Sequence, residues 1–239
     1  MRILIPQLAW HYDHESTTSI DFHPYRNLLA VSATDSTGQN TYLRIWEIVL
    51  DKLRNVDSFE SKLNEQESAA REKKPPQEME DLFQRIFSVY CEISTGHMKT
   101  INCVRFSPNG LHMATCADDA KVIIWVEKWK PKTFGSKEYV SSWAEMKILT
   151  GHGNEVYDLK WFSDGSHIAT SSLDFSVIIW NFEKGEMVQK LTGHTNYVKG
   201  VAVDPCGGRH VLSLSTDRSV RIYKVPKVGS SYSCKSVSG

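Results

Sequence analysis

The chain has 239 residues, 41% of them hydrophobic, and its 28 lysines and arginines balance 28 aspartates and glutamates, giving a formal net charge of zero. A protein that binds nucleic acid through phosphates usually carries a basic excess, so this balance argues against direct nucleic-acid binding. Five scattered cysteines without a CxxC pair favour a reducing compartment over a disulfide framework. No stretch approaches about 18 consecutive apolar residues, so we expect a soluble, intracellular protein without membrane contact.

Residues 1–49 predict an N-terminal strand followed by a degenerate strand repeat. The segment IDFHPYRNLLAVSATDSTGQNTYLRIW alternates apolar and polar residues with the period of two that is typical of strands, and it ends at Trp46. Asn40 occupies the position at which later repeats have an aspartate, and no Gly-His pair precedes this repeat. The apolar start RILIPQLAWH is suited to be a strand that completes a sheet formed elsewhere in the chain.

Residues 50–85 are highly charged, mixed in sign and interrupted by prolines. This composition predicts a disordered insertion after the third strand of the first repeat, with a short helix near Glu78–Ile86. Lys73-Lys74-Pro75-Pro76 could belong to a nuclear import signal, although a solvated loop is the commoner meaning of such a run.

Residues 86–126 contain the last strand of the first repeat and then a complete second repeat. Gly96-His97 opens the repeat, and VRFSPNGLHMATCADDAKVIIW predicts three strands joined by two turns. Trp125 follows His97 by 28 residues, Asp119 lies six residues before Trp125, and Thr115 lies four residues before Asp119.

Residues 127–143 predict a second, mildly basic insertion, with lysines at 128, 130, 132 and 137. We expect Trp143 to pack where the next strand begins. Trp129 is either an exposed contact for a partner or an anchor of the loop.

Residues 144–225 contain a third and a fourth repeat in the same register as the second, and residues 226–239 form a tail. The matching positions are His152, Thr170, Asp174 and Trp180 in the third repeat, and His194, Ser213, Asp217 and Tyr223 in the fourth. Four residue types that recur three times at near-constant spacing are not a chance pattern.

This spacing resembles the WD-repeat family, whose blades are four-stranded antiparallel sheets arranged around a channel. The resemblance implies that the histidine, hydroxyl, aspartate and aromatic residue of each repeat form one buried hydrogen-bonded set. A His-Asp-Ser set also suggests a hydrolase triad or a metal site. However, an active site needs one constellation in one cleft, and the histidine spacings match no zinc pattern. We therefore expect no catalytic residue, no metal and no cofactor.

The repeats predict an all-β propeller with about four recognisable blades. WD-repeat propellers usually have seven blades, and in them the first strand of the chain closes the last blade. The sequence therefore indicates a partial seven-bladed propeller: a partial gene product, a truncated isoform, or a chain completed by another. An open array would expose a sheet face and an unpaired strand. Closure with four blades is the less favoured alternative.

Finer features resemble the WD-repeat subunit of the chromatin assembly factor over about residues 1–225 outside the insertion at 50–85. The segments that carry the resemblance are RILIPQLAWH, SIDF, INCVRFSPNG and KILTGHGNEVYDLKWFSDGSHIATSSLDFSVIIWNFEKG. The fourth repeat matches at Tyr197, Val198, Gly200, Val201, Asp204, Pro205, Asp217, Arg218, Arg221 and Tyr223. HIRA-type histone chaperones are the next closest group, and Arg221-Ile222-Tyr223 and Val156-Tyr157-Asp158 favour the assembly factor.

The resemblance implies a non-catalytic, nuclear scaffold that helps to deposit core histones on replicating or repaired DNA. Its implied partners are the large subunit of the assembly factor complex, core histones and other histone chaperones. A generic WD-repeat adaptor in ubiquitin ligation, RNA processing or trafficking is the alternative. The family's second insertion tends to be acidic, whereas residues 127–143 are basic, so histone binding through that loop is not expected to carry over. The surface residues that bind partners are not identified by any motif.

Overall fold

The structure is a computed structural model that describes residues 16–35, 37, 40–49, 86–131, 139–225 and 233–237, with backbone alone for residues 130, 139 and 233–237. These residues form four antiparallel sheets of four strands each, and in each sheet the strands are hydrogen-bonded in chain order. The predicted all-β propeller with about four recognisable blades is confirmed. Within the described ranges, no helix is long and apolar enough to cross a membrane.

The bounds of the strands follow the predicted repeats closely in the inner part of each sheet. The first sheet contains β1 (Ser16–Phe22), β2 (Leu28–Thr34), β3 (Thr41–Ile48) and β4 (Phe87–Ile93). The second contains β5 (Ile101–Phe106), β6 (His112–Ala117), β7 (Lys121–Pro131) and β8 (Tyr139–Thr150). The third contains β9 (Val156–Trp161), β10 (His167–Ser172), β11 (Val177–Asn181) and β12 (Glu186–Leu191). The fourth contains β13 (Val198–Val203), β14 (His210–Ser215), β15 (Val220–Lys224) and β16 (Ser233–Val237).

The hydrophobic core lies between the sheets rather than within one of them. The innermost strands β1, β5, β9 and β13 lie side by side in chain order. One cluster of buried side chains fills each of the three junctions between consecutive sheets. Each cluster includes the aromatic residue of a repeat, namely Trp125, Trp180 or Tyr223, each at most 2% exposed. The central strands β2, β6, β10 and β11 are buried on both faces and show little alternation, whereas β14 of the fourth sheet alternates buried residues with more exposed ones.

Two half-buried carboxylates join neighbouring sheets at the innermost strands. Asp21 in β1 accepts a hydrogen bond from the backbone N–H of Phe106 in the second sheet at 2.7 Å. Asp158 in β9 accepts one from the backbone N–H of Val201 in the fourth sheet at 3.1 Å. Burial raises the pKa of Asp21 despite that bond and the nearby charge of Arg105. These bonds satisfy backbone donors that have no strand partner between the sheets.

The antiparallel order places the connections at two opposite rims. The rim that we call the Gly-His rim contains the loops that enter the second, third and fourth sheets, and also the turns between the second and third strands of those sheets. Its residues are 94–100, 118–120, 151–155, 173–176, 192–197 and 216–219. The opposite rim contains residues 23–27, 107–111, 162–166, 182–185 and 204–209.

The segment 127–150 differs from the sequence analysis, which placed 127–143 in an insertion and 144–150 with the third blade. In the structure β7 runs on to Pro131, β8 runs from Tyr139 to Thr150, and both strands belong to the second sheet. The described part of the insertion is therefore an extended hairpin that projects at the opposite rim. Trp143 is 5% exposed within the core, as expected, whereas Trp129 is 59% exposed on the hairpin.

Two other predicted segments lie outside the described residues: the strand RILIPQLAWH and the insertion 50–85 with its short helix. The ends of the insertion meet, because the N–H of Val49 donates to the carbonyl of Ile86 at 2.8 Å. In the region predicted as a tail, residues 233–237 form β16, the outermost strand of the fourth sheet.

Candidate functional site

The turns between the second and third strands hold the predicted aspartates in one recurring geometry. In each turn the carboxylate accepts the backbone N–H two residues later: Lys121 onto Asp119 at 3.1 Å, Ser176 onto Asp174 at 3.0 Å, and Ser219 onto Asp217 at 2.9 Å. Aspartate suits this position because its short side chain caps a turn locally. The residue after each aspartate is left-handed without being glycine: Ala120, Phe175 and Arg218 have φ values of 63°, 67° and 68°.

The second sheet brings the four predicted residues together. His97 Nδ1 lies 3.1 Å from Asp119, and its Nε2 lies 2.8 Å from the hydroxyl of Thr115. The indole N–H of Trp125 donates to the same hydroxyl at 2.9 Å. The chain of donors is consistent with a neutral imidazole: the indole donates to the hydroxyl, the hydroxyl to Nε2, and Nδ1–H to the carboxylate.

The third sheet repeats this arrangement almost atom for atom. His152 lies 3.1 Å from Asp174 and 2.7 Å from Thr170, and Trp180 donates to Thr170 at 2.8 Å. Asp174 also accepts the backbone N–H of Gly153 at 3.0 Å. The side chain of Thr170 is fully buried.

The fourth sheet keeps the histidine, the hydroxyl and the aspartate but replaces the indole with a phenol. His194 lies 2.8 Å from Asp217 and 2.6 Å from Ser213. Tyr223 is 1% exposed and lies in the core cluster of the junction with the third sheet. The structure therefore brings together His194, Asp217 and Ser213 by hydrogen bonds, with Tyr223 packed in the aromatic position.

The first sheet has a different interior. Trp46 stands at the same irregularity of pairing with the outermost strand as Trp125 and Trp180. At the position of the hydroxyl the first sheet has Val31, which lies opposite Arg44. Arg44 is 5% exposed and forms an ion pair with Glu92 on β4 at 2.7 Å. An ion pair across the strands thus occurs in the sheet that lacks the Gly-His motif, and the sequence analysis did not identify it.

Hydrogen bonding to the ionised form lowers the pKa of the three turn aspartates. Burial alone would raise the pKa of Asp119, but hydrogen bonds from His97 and two backbone N–H groups outweigh it. The same balance holds for the pKa of Asp174, where His152, Ser176 and Gly153 donate. It also holds for the pKa of Asp217, where Ser219 and His194 donate. These hydrogen bonds therefore hold each carboxylate, in its ionised form, at its own turn.

An Asp-His-hydroxyl sequence of contacts resembles a hydrolase triad, but its burial is that of a structural group. Thr115, Thr170 and Ser213 are at most 1% exposed, so no substrate carbonyl reaches their hydroxyls. The indoles already donate to two of these three hydroxyls. Among the described residues, no group of three or more His, Cys, Asp or Glu side chains is placed to hold a metal ion.

On the opposite rim, contacts that the sequence did not reveal hold the first two sheets together. The guanidinium of Arg26 donates to Glu127 at 2.7 Å and to the phenol of Tyr90 at 2.9 Å. His23 accepts two backbone N–H groups at Nδ1, which leaves Nε2–H to donate to the carbonyl of Gly110 at 3.0 Å. Burial lowers the pKa of His23, consistent with this neutral form. Only the register of β7 reveals that Glu127 faces the first sheet.

A family model described as the CAF1B/HIR1 beta-propeller domain matches residues 81–236. The chain belongs to the CAF1B/HIR1 β-propeller family. The matched range includes all three Gly-His repeats and the outermost strand of the first sheet.

Members of both branches of the CAF1B/HIR1 family resemble the chain to a similar degree. The chromatin assembly factor 1 subunit FAS2 homolog of Oryza sativa subsp. japonica is 33% identical over 217 residues, covering 91% of this chain and 35% of the relative. A chromatin assembly factor 1 subunit of Gallus gallus is 29% identical over 231 residues, covering 93% and 35%. Protein hir1 of Schizosaccharomyces pombe is 32% identical over 232 residues, covering 92% and 22%. The chain thus spans about a third or less of the length of these relatives.

Proposed function

We propose that this protein is a non-catalytic scaffold subunit of a histone chaperone complex that assembles nucleosomes in the nucleus during DNA replication or repair. The observation that carries the proposal is the family match across residues 81–236, together with relatives named as chromatin assembly factor subunits. Its proposed partners are the large subunit of the assembly factor, core histones and other histone chaperones.

The distribution of polar groups supports a binding role rather than an enzymatic one. The repeated histidines, aspartates and hydroxyls are directed into the sheets and used in internal hydrogen bonds. The side chains at the two rims, by contrast, differ from one sheet to the next, and several are exposed. A rigid frame with variable rims is suited to holding other proteins.

Two short sequence segments support our proposal that the protein belongs to the assembly factor branch of the family. Arg221-Ile222-Tyr223 and Val156-Tyr157-Asp158 favour the assembly factor branch, and Asp158 also joins the third and fourth sheets through Val201. The hairpin of β7 and β8 departs from the acidic character of the family's second insertion, since exposed Lys128 stands beside Trp129. We therefore assign no histone contact to this hairpin.

The test is affinity purification of the tagged chain from cells synchronised in DNA replication, with quantitative mass spectrometry of the bound proteins. We expect recovery of the large assembly factor subunit and of core histones, with enrichment over the same purification from cells arrested before replication. Recovery of Hir-type partners without the large subunit would move the protein to the other branch. A stoichiometric ubiquitin ligase, RNA-processing or trafficking complex would refute the chaperone role.

A further inference from the structure

The junction between the third and fourth sheets carries an exposed aromatic and basic surface at the Gly-His rim. Phe175 in the turn of the third sheet meets Tyr197 in the loop that enters the fourth, with ring centroids 5.7 Å apart. The ammonium of Lys199 lies 5.4 Å from the ring centroid of Tyr157 across the same junction. Tyr197 and Lys199 are two residues apart along an extended segment, so the two pairs are neighbours. We call Tyr157, Phe175, Tyr197 and Lys199 the junction patch.

The junction patch is more exposed than packing between blades requires. Tyr157, Phe175 and Tyr197 are 38%, 41% and 43% exposed, whereas the core of this junction lies beneath them and is fully formed. Phe175 also has a left-handed backbone, with φ of 67°. Ala120 and Arg218 have the same conformation in the equivalent turns, so the turn requires it in each sheet, and only the exposed aromatic side chain distinguishes Phe175. The aromatic rings are therefore available to a ligand.

The equivalent positions of the preceding junction show that the fold does not need this patch. By register Asn102 corresponds to Tyr157, Ala120 to Phe175, and Glu155 to Tyr197. At that junction Asn102 donates to Asp118 at 2.6 Å and to the carbonyl of Val156 at 2.9 Å, which seals the surface with internal hydrogen bonds. The same backbone geometry thus supports a polar, closed junction and an aromatic, open one.

The charges around the junction patch select the chemistry of the ligand. Lys199 and Arg218 are exposed at the patch or on the adjoining turn. The nearest carboxylates are used internally: Asp174 and Asp217 by their turns and histidines, and Asp158 by the backbone N–H groups of Leu159 and Val201. The side chains of Asp174 and Asp217 keep their negative charge but are only 10% and 8% exposed. The exposed basic groups of Lys199 and Arg218 can contact the carboxylates of an acidic ligand directly, and the rings complement an apolar side chain.

We propose that the junction patch docks an acidic, extended segment of a partner protein that inserts one aromatic or aliphatic side chain between Phe175 and Tyr197. The carboxylates of the segment then pair with Lys199 and Arg218. An ammonium that lies over a ring keeps N–H donors for a carboxylate, so the contact with Tyr157 orients Lys199 without consuming it. This inference rests on the surface alone and not on the histone chaperone role proposed above.

The test is selection of a phage-displayed library of random peptides, each a dozen residues long, on the immobilised full chain. We expect the enriched peptides to share several acidic residues around one aromatic or aliphatic residue. In fluorescence anisotropy a synthetic copy of the best peptide should bind at least about fivefold more weakly to Phe175→Ser and to Lys199→Glu. Lys99→Glu, which makes the same charge change on the Gly-His rim far from the junction patch, should leave the affinity unchanged.

Three results would overturn the proposal. The first is a selection that enriches no peptide, or enriches basic ones. The second is an acidic peptide whose affinity is equally insensitive to Phe175→Ser and Lys199→Glu, in variants whose circular dichroism and thermal midpoint match the parent. The third is tighter binding of oligothymidine than of any selected peptide, because basic and aromatic side chains also bind single-stranded nucleic acid.

Discussion

The turn aspartate of the third sheet offers the sharpest test of the buried sets, because the same sheet contains a near-identical control. Asp174 and Asp164 each accept the backbone N–H and the hydroxyl of the serine two residues later. Only Asp174 also accepts from buried His152, at 3.1 Å. Substituting alanine at each position removes the same turn contacts, so the difference between the variants reports the contacts that Asp174 alone makes: those with His152, with the N–H of Gly153 at 3.0 Å and with Lys190 at 3.1 Å.

The expected loss of stability follows from what each substitution leaves behind. Losing the exposed turn contacts in Asp164→Ala should destabilise the protein by about 1 kcal/mol. Asp174→Ala should cost about 2 kcal/mol more, because the Nδ1–H of His152 remains buried without an acceptor. The ion pair between Asp174 and half-exposed Lys190 adds at most about 1 kcal/mol.

The assay is urea unfolding at pH 7, followed by tryptophan fluorescence and far-ultraviolet circular dichroism. With a slope of about 2 kcal/mol/M, the midpoint of Asp174→Ala should lie about 1 M below that of Asp164→Ala. Coincident curves from the two probes establish two-state unfolding in each variant, and the fitted slopes must agree for the midpoints to be compared. Midpoints that agree within about 0.25 M would mean that the buried histidine contact does not stabilise the sheet.

Three further outcomes are expected. Because hydrogen bonding holds the pKa of the turn aspartates below their ordinary value of 3.8, their stabilisation is complete above that pH and is lost on acidification. The thermal unfolding midpoint should therefore decrease as the pH is lowered below about 4. A midpoint that increases over that range would contradict this. Gly110→Ala should destabilise by about 2 kcal/mol more than Gly165→Ala, because both have φ of 72° but a new Cβ meets His23 at 2.5 Å only at Gly110. Unfolding measurements on both variants check this, and equal losses would exclude the clash. A double-mutant cycle on Arg26→Ala and Glu127→Ala should give a coupling of about 1 kcal/mol, whereas zero would mean that this pair does not join the first two sheets.

The sequence predicted the repeated parts of the fold because each inner strand carries its own signal. His152, Thr170, Asp174 and Trp180 fix one unit, and its copies give the number of sheets. The outermost strand β8 carries no such motif, and Pro131 with its neighbouring lysines looks like a loop. It pairs with the edge of β7, which places residues 144–150 in the second sheet, whereas the sequence analysis grouped them with the third blade.

Contacts between sheets were the least predictable part. The junction patch combines Phe175 of one sheet with Tyr197 of the next, and the ion pair of Arg44 with Glu92 spans the insertion 50–85. Neither has a fixed spacing along the chain, since the separation depends on loop lengths. The register of the strands must be known before such residues can be placed together.

The repeat in the sequence and the sheet in the structure are out of phase by one strand. Counted from Gly-His to the aromatic residue, a repeat contains three strands, and the fourth strand lies just before the next Gly-His pair. A chain opened directly after Trp125 would cut β7, which runs on to Pro131, in the middle of its pairing with β8. New termini for a split reporter or a circular permutant therefore belong between Thr150 and Gly151, both exposed, where every sheet keeps its four strands.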